Sequence, residues 1–298
     1  MSRRVRLFQV DAFTTTRFAG NPAGVVLDAQ NLSEGEMRAL AREMGNGDTA
    51  FVLPAGDAQH DLRIRFFTPR REAAFVGHAT LAAHSVLQGL DPRPVRRQLG
   101  QSGTVEVTAL GEKGGFSIRQ GPPPLGRFLT NSERDETLGL LGISAGRLDP
   151  QCPPQIVGAG STRLLLGVID STALDALQPQ LDSLARLSPV LGAQGYFLFT
   201  RNTQVDDCAT EARMFCPALG IDEDPVSGNA HAMLGTYLVH HQLLPASGTE
   251  ATFTGAQGRH VDRPGRVKVG LDLDSSGAVT STRIIGQAVT VFQAEVDL

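Results

Sequence analysis

The sequence predicts an α+β protein of two similar halves, each made of strands wrapped round one buried helix. Three observations carry this expectation. Short motifs recur in the same order in both halves of the 298 residues; each half holds one helix-length run that is apolar almost all round; and short strand patterns with turn signals flank both runs.

The repeats are individually weak and collectively ordered. Phe67-Thr68-Pro69 is answered by Phe215-Cys216-Pro217, and Gly77-His78-Ala79 by Gly228-Asn229-Ala230. Upstream, Leu40-Ala41-Arg42 is answered by Leu184-Ala185-Arg186; downstream, Val105-Glu106-Val107 is answered by Val267-Lys268-Val269. Four matches in one order, near half the chain length, favour a duplicated domain over coincidence.

Taken along the chain, Ser33 is placed to cap a helix, with Glu36 in the capping-box position. Met37, Leu40, Ala41 and Met44 follow at helical spacing, and Gly45 stops the run. Residues 51–53 and 62–67 read as strands. The run from His78 to Leu87 is apolar on every side and kept thin by Ala79, Ala82 and Ala83, the pattern of a buried helix. Its counterpart, Ala230 to Val239, has small residues at Ala232 and Gly235. Each half then closes in a hairpin: 104–110 with 115–120 around Gly114-Gly115, and 266–273 with 278–284 around Ser275-Ser276-Gly277. Gly121-Pro122-Pro123-Pro124 is a stiff crossing and marks the seam.

Composition narrows the function classes. Hydrophobic residues make up 41% and charged residues 19%, the balance of a globular chain. With 27 basic and 31 acidic residues the net charge is −4, which suits neither nucleic acid nor a membrane surface as a partner. The local arginine clusters (Arg70 and Arg71; Arg93, Arg96 and Arg97) read as solvated faces, with anion binding as the other reading. The first ten residues lack the apolar core of a signal peptide, and no apolar run is long enough to span a bilayer. Three cysteines (Cys152, Cys208 and Cys216) do not make a disulfide framework and suit a reducing, cytoplasmic setting.

The chemistry-bearing residues gather at the two helix starts. Gly77 and Gly228 open the buried helices, where free backbone N–H groups can take a carboxylate; each glycine could equally relieve a tight turn. Asp224 stands four residues before Gly228, and Pro225 holds it extended, so its carboxylate can leave the helix axis or simply complement the helix dipole. His78 is either a satisfied cap or a proton shuttle. Asp48 lies between the stop at Gly45 and a strand, as a turn residue or a functional acid. Cofactor motifs fail. Gly45-Asn46-Gly47-Asp48-Thr49-Ala50 follows a helix where a dinucleotide loop needs a strand, no P-loop is present, and no histidine or cysteine pair has zinc spacing. Neither a cofactor nor a metal is expected.

Together these residues resemble the phenazine-biosynthesis isomerase (PhzF-like) family across essentially the whole chain. The resemblance is carried by Asp11-Ala12-Phe13, Gly20-Asn21-Pro22-Ala23-Gly24-Val25, Asp48-Thr49-Ala50-Phe51-Val52, Phe66-Phe67-Thr68-Pro69, Gly77-His78-Ala79-Thr80-Leu81, Glu223-Asp224-Pro225-Val226-Ser227-Gly228 and Gly286-Gln287-Ala288. It implies the diaminopimelate epimerase-like fold, in which each domain is a mixed, barrel-like sheet round a central helix. The domains would span 1–122 plus about 286–298, and 123–285, with the active-site cleft between them.

The implied activity is a cofactor-independent isomerase that moves a proton between carbons of a small carboxylate substrate by acid/base catalysis, in a homodimer. Asp48, His78 and Asp224 are then the catalytic set, and Asn21, Gly77, Ala79, Ser227, Gly228 and Asn229 contact the substrate. The chain departs from the family in three places. Asp48, after Gly47, replaces a glutamate after serine; Asn229 replaces a frequent serine; and Arg263-Pro264-Gly265 replaces an arginine-proline-serine segment. Aspartate is one methylene shorter, a reach difference of ~1.5 Å, and misplacement of about 1 Å can slow catalysis ~10²-fold. Two other readings stay open: an amino-acid epimerase or racemase of the same fold, and a catalytically weakened protein that binds a small acid. In the epimerase relative the acid/base pair is two cysteines, where this chain has His78 and Asn229.

Overall fold

The computed structural model describes residues 4–111 and 115–298. They form two compact units, residues 4–120 with 284–298, and residues 121–283.

The first unit begins with β1 (Arg4–Ala12) and β2 (Asn21–Leu27), an antiparallel pair with Ala12 opposite Asn21. Helix α1 (Glu34–Met44) starts at the expected capping box, where Ser33 accepts from the Glu36 N–H and Glu36 accepts from the Ser33 N–H. Gly45 ends it at φ 69°. Then come β3 (Thr49–Leu53), β4 (Leu62–Phe67), β5 (Glu72–Ala73), α2 (Gly77–Leu90), β6 (Val95–Gly100), β7 (Gly103–Ala109) and β8 (Phe116–Gln120). β3 lies parallel to β2 and antiparallel to β4, and β4 pairs β6 in parallel. The C-terminal strand Ala288–Asp297 lies antiparallel to β1.

The second unit repeats this order after an opening strand and helix, β9 (Leu125–Phe128) and α3 (Asn131–Leu141). β10 (Gln155–Val157), β11 (Arg163–Val168), α4 (Ser171–Asp175), α5 (Leu181–Leu191), β12 (Tyr196–Thr200), β13 (Thr210–Cys216), β14 (Ile221–Asp224), α6 (Gly228–His240), β15 (Glu250–Gln257), β16 (Gly265–Leu273) and β17 (Val279–Gly286) follow. β11 and β12 are parallel, β12 and β13 antiparallel, and β13 and β15 parallel, matching β2–β3, β3–β4 and β4–β6. Each recurring motif therefore falls on equivalent elements: the paired Leu-Ala-Arg runs on α1 and α5, the Phe-x-Pro runs at the ends of β4 and β13, and the glycines at the starts of α2 and α6.

The two buried helices explain the apolar runs. In the first unit, Ala79, Ala82, Ala83 and Val86 of α2 pack into a core with Val10, Val25, Ala50, Ile64 and Phe66. Small side chains let the helix sit close to the strands at crystal-like density. In the second, His231 and Tyr237 of α6 meet Phe197 and Phe199 edge-on, at centroid distances of 5.3 and 5.8 Å. Gly235 faces Leu271, Phe253 and Val269, where a Cβ would stand 3.1 Å from each. Both helices are longer than their apolar runs. The α2 run stops before the exposed Gly89 and Leu90, and the α6 run before the exposed His240, so these ends carry no such signal.

The second hairpin turn forms at 274–278, where the Asp274 carboxylate accepts from the Ser276 and Ala278 N–H groups and Gly277 takes φ 83°. In the first hairpin Leu110 N–H donates to the Gly115 carbonyl at 2.8 Å; the expected turn residue Gly114 lies outside the described residues. Among the described residues no helix is long and apolar enough to cross a membrane.

Candidate active site

In the first unit, Asp48 and His78 come together. Asp48 precedes β3 and His78 is the second residue of α2, and the Asp48 Oδ2 lies 3.7 Å from His78 Nε2. Their side chains are 15% and 13% exposed. Nε2 is buried and has no hydrogen-bond partner at this distance. Burial pushes the imidazole down to about 4, so it is neutral at pH 7. A neutral imidazole beside a carboxylate can pass a proton without first shedding a charge.

The turn that carries Asp48 is held from two sides. Gln9 on β1 and Asn46 exchange amide hydrogen bonds, Gln9 Nε2 to Asn46 Oδ1 at 2.9 Å and Asn46 Nδ2 to Gln9 Oε1 at 2.8 Å. On β2, opposite Gln9, the Gly24 N–H donates to the Asp48 carbonyl at 3.1 Å. Gly24 has no room for a side chain: a Cβ would stand 2.7 Å from Thr49 Oγ1. Gly24→Ala is expected to lower stability by about 1–3 kcal/mol through overpacking. It should also slow turnover by shifting Asp48. Thermal unfolding together with a rate measurement tests this; an unchanged melting temperature and rate would refute it. Asn21 heads the same strand and is 5% exposed.

Helix α2 begins without a side-chain cap, because Val76 occupies the N-cap. By contrast α1 and α3 have complete capping boxes. The first N–H groups of α2, at Gly77, His78 and Ala79, are therefore presented beside the Asp48–His78 pair, with the positive end of the helix dipole. Ala79 is fully buried, with its side chain packed in the core.

In the second unit, Asp224 ends β14, and Ser227, Gly228 and Asn229 form the start of α6. Ser227 caps the helix, its Oγ accepting from the Ala230 N–H at 3.3 Å. Buried Gln257 ties this segment together. Its Oε1 accepts from the Ser227 N–H at 3.0 Å, and its Nε2 donates to the Asp224 carbonyl at 2.6 Å. His231 Nδ1 sits 2.8 Å from the Ser227 carbonyl. Next to Asp224, Glu223 is clamped by a two-pronged pair with Arg213, at 3.0 and 2.7 Å. The Asn229 Oδ1 is buried and unpartnered. Gln257→Leu should leave the Ser227 N–H without its acceptor and remove the side-chain donor to the Asp224 carbonyl. The expected loss is about 1–3 kcal/mol per buried group, read from urea midpoints; a neutral result would show the tie to be dispensable.

Sequence reasoning did not single out Gln9, Asn46 or Gln257. Glutamine and asparagine leave no periodic signal, and only the folded chain shows which backbone groups they reach. The thiols are poor acid/base groups here. Burial pushes Cys152 and Cys216 up to about 12, and Cys216 is fully buried in β13. Among the described residues no cluster of three or more His, Cys, Asp or Glu could hold a metal ion.

The comparisons with known proteins agree with this architecture. A family model described as phenazine biosynthesis-like protein matches residues 10–294. The chain is 36% identical, over all of both chains, to an uncharacterized isomerase of Clostridium acetobutylicum. The crystal structure of a Bacillus anthracis phenazine biosynthesis protein of the PhzF family superposes with a TM-score of 0.88 at 26% identity, covering 99% of each chain. A hydroxyproline epimerase from Agrobacterium vitis shares the fold, with a TM-score of 0.65 at 12% identity over 99% of this chain and 93% of that one. The protein is an isomerase with the diaminopimelate epimerase-like fold. It belongs to the phenazine biosynthesis-like, PhzC/PhzF family.

Proposed function

We propose that this isomerase moves a proton between carbons of a small carboxylate substrate by acid/base catalysis, without a cofactor. Asp48 takes the proton, and neutral His78 relays or returns it. The uncapped N–H groups at Gly77, His78 and Ala79 hold developing negative charge. Asp224 serves as the second acid, with Ser227, Gly228 and Asn229 contacting the same substrate, as does Asn21. The observation that carries the reading is the approach of Asp48 to His78 at the uncapped start of α2.

A second reading, stereoinversion at one carbon, draws on the fold shared with the hydroxyproline epimerase. A two-thiol version of it is disfavoured, since burial keeps Cys152 and Cys216 protonated at neutral pH. We also place the protein in the cytoplasm as a homodimer. Its three free cysteines suit a reducing compartment, and light scattering after size exclusion tests the dimer.

Proton NMR in D₂O with a panel of small carboxylates, cyclic unsaturated amino acids among them, tests the proposal. Deuterium should enter at a carbon that the product, but not the substrate, holds protonated. Deuterium at a single stereocentre with inversion would favour the second reading. Tight binding with no exchange at any position would overturn both.

A further inference from the structure

We infer that Arg163 is an anion-binding residue of the α6 half of the site, where it takes an acid group of the substrate. The inference rests on the isomerase reading only in naming the ligand as substrate.

The side chain is out of place as a structural cation. Arg163 opens β11, is 8% exposed, and has no carboxylate partner among the described residues. Its Nη1 donates to the Thr162 carbonyl at 2.9 Å, and its Nε is buried with nothing to accept from it. A buried cation left without a counter-charge is destabilising, and orphaned buried donors are rare enough to need a reason. The other well-buried arginine of this unit, Arg213, is paired with Glu223.

Sheet register places Arg163 at the starting end of α6. Side chains two residues apart on a strand share a face. Phe199 meets Tyr237, and Phe197, two residues earlier, meets His231, so this face steps along α6 towards its start. Tyr237 to His231 is six residues, about 9 Å of helix. Two residues earlier again, just ahead of β12, comes Gly195, one strand step or ~6.6 Å further on, past the first turn of the helix. Arg163 and Cys216 flank that position: a Cβ at Gly195 would stand 3.0 Å from Arg163 Cδ and 2.4 Å from Cys216 Sγ. Leu164 N–H bonds to the Gly195 carbonyl, which fixes this row.

Asp224 lies on the same face. It pairs with Met214, two residues before Cys216 on β13. The charges of Arg163 and Asp224 both act on the Cys216 thiol, in opposite directions. The α6 end thus holds a carboxylate, a helix start with an unpartnered Asn229 Oδ1, and a guanidinium whose Nε has no acceptor. A guanidinium binds a carboxylate through two parallel hydrogen bonds, and the free Nε is one of the donors such a fork uses. The substrate class is narrowed to acids that place a carboxylate near the α6 start.

The test uses the full-length protein and two probes, benzoate with one acid group and isophthalate with two. Proton–nitrogen NMR follows the arginine Nε–H resonances, and Arg163→Lys identifies the one from Arg163. Saturable movement of that resonance on adding a probe is expected. Arg163→Gln should weaken binding of that probe at least about tenfold, with Arg163→Lys in between. A resonance that stays still while a probe binds, no binding of either probe, or unchanged affinity in a folded Arg163→Gln variant would overturn the inference. The wild-type titration does not depend on any variant folding. Binding at Arg163 without proton exchange in D₂O would leave the inference standing and remove the isomerisation mechanism instead. Exchange without movement at Arg163 would do the reverse.

Discussion

Asp48→Asn is expected to reduce proton exchange into substrate by about 10²–10⁴-fold, the usual worth of a positioned general base. The change is nearly isosteric, and two anchors of the turn do not involve the carboxylate. Gly24 holds the Asp48 carbonyl, and Gln9 holds Asn46, so both anchors survive the substitution. What is lost is the proposed base, whose Oδ2 lies 3.7 Å from a neutral imidazole. An amide cannot act as a base. Circular dichroism and the melting temperature should match wild type while exchange measured by NMR in D₂O collapses. An Asp48→Asn variant with full exchange would sink the assignment of the base and leave His78 or Asp224 to take its place.

Acid is expected to destabilise this protein well before its surface carboxylates protonate. Burial holds His78, His84 and His231 at about 4, below the usual 6.5. The unfolded chain therefore binds these protons more tightly than the folded one. Stability is complete above about pH 7, falls as pH drops through 6.5, and stops falling from this source below about 4. At pH 5 each such histidine removes about 2 kcal/mol, so together they remove several kcal/mol of a total that is seldom above ~15.

Urea midpoints at pH 7.5 and pH 5.0 measure the loss. His84 Nε2 lies 3.0 Å from Gln98 Oε1, so His84→Leu removes one titrating group at the expense of one hydrogen bond. That variant should start less stable at pH 7.5 and lose less between the two pH values. Equal midpoints at both pH values in wild type would refute the account, as would an unchanged loss in His84→Leu.

Much of the architecture was legible in the chain because it depends on local spacing. Ser33 and Glu36 specify a capping box whatever lies around them, and the structure forms it. Strand 62–67 alternates in burial as its residues do. The runs after Gly77 and Gly228 are too apolar to lie anywhere but inside, and both become central helices. The ordered repeats were legible for the same reason, since a duplicated unit keeps its turn and helix-start residues at matching places.

The site was legible as a set of residues and not as an arrangement. The motifs singled out Asp48, His78 and Asp224, but 30 residues of chain separate Asp48 from His78. Their approach exists because β2 lies parallel to β3 and the α2 start comes to the same end of the unit. The supports are further from view. Gln9, Gly24, Asn46 and Gln257 matter through the backbone groups they meet, and those partners are set by register. Arg163 reads in the sequence as one arginine among many. Only the burial of its stem beside Gly195, with no ion pair to a carboxylate among the described residues, makes it unusual. The sequence alone determined the family, the duplicated α+β fold and the chemical types at the site, because each is written in short-range pattern. The tertiary structure decided which of those groups meet, how far burial moves their protons, and which charge is left without a partner, because distance and desolvation exist only once the chain has folded.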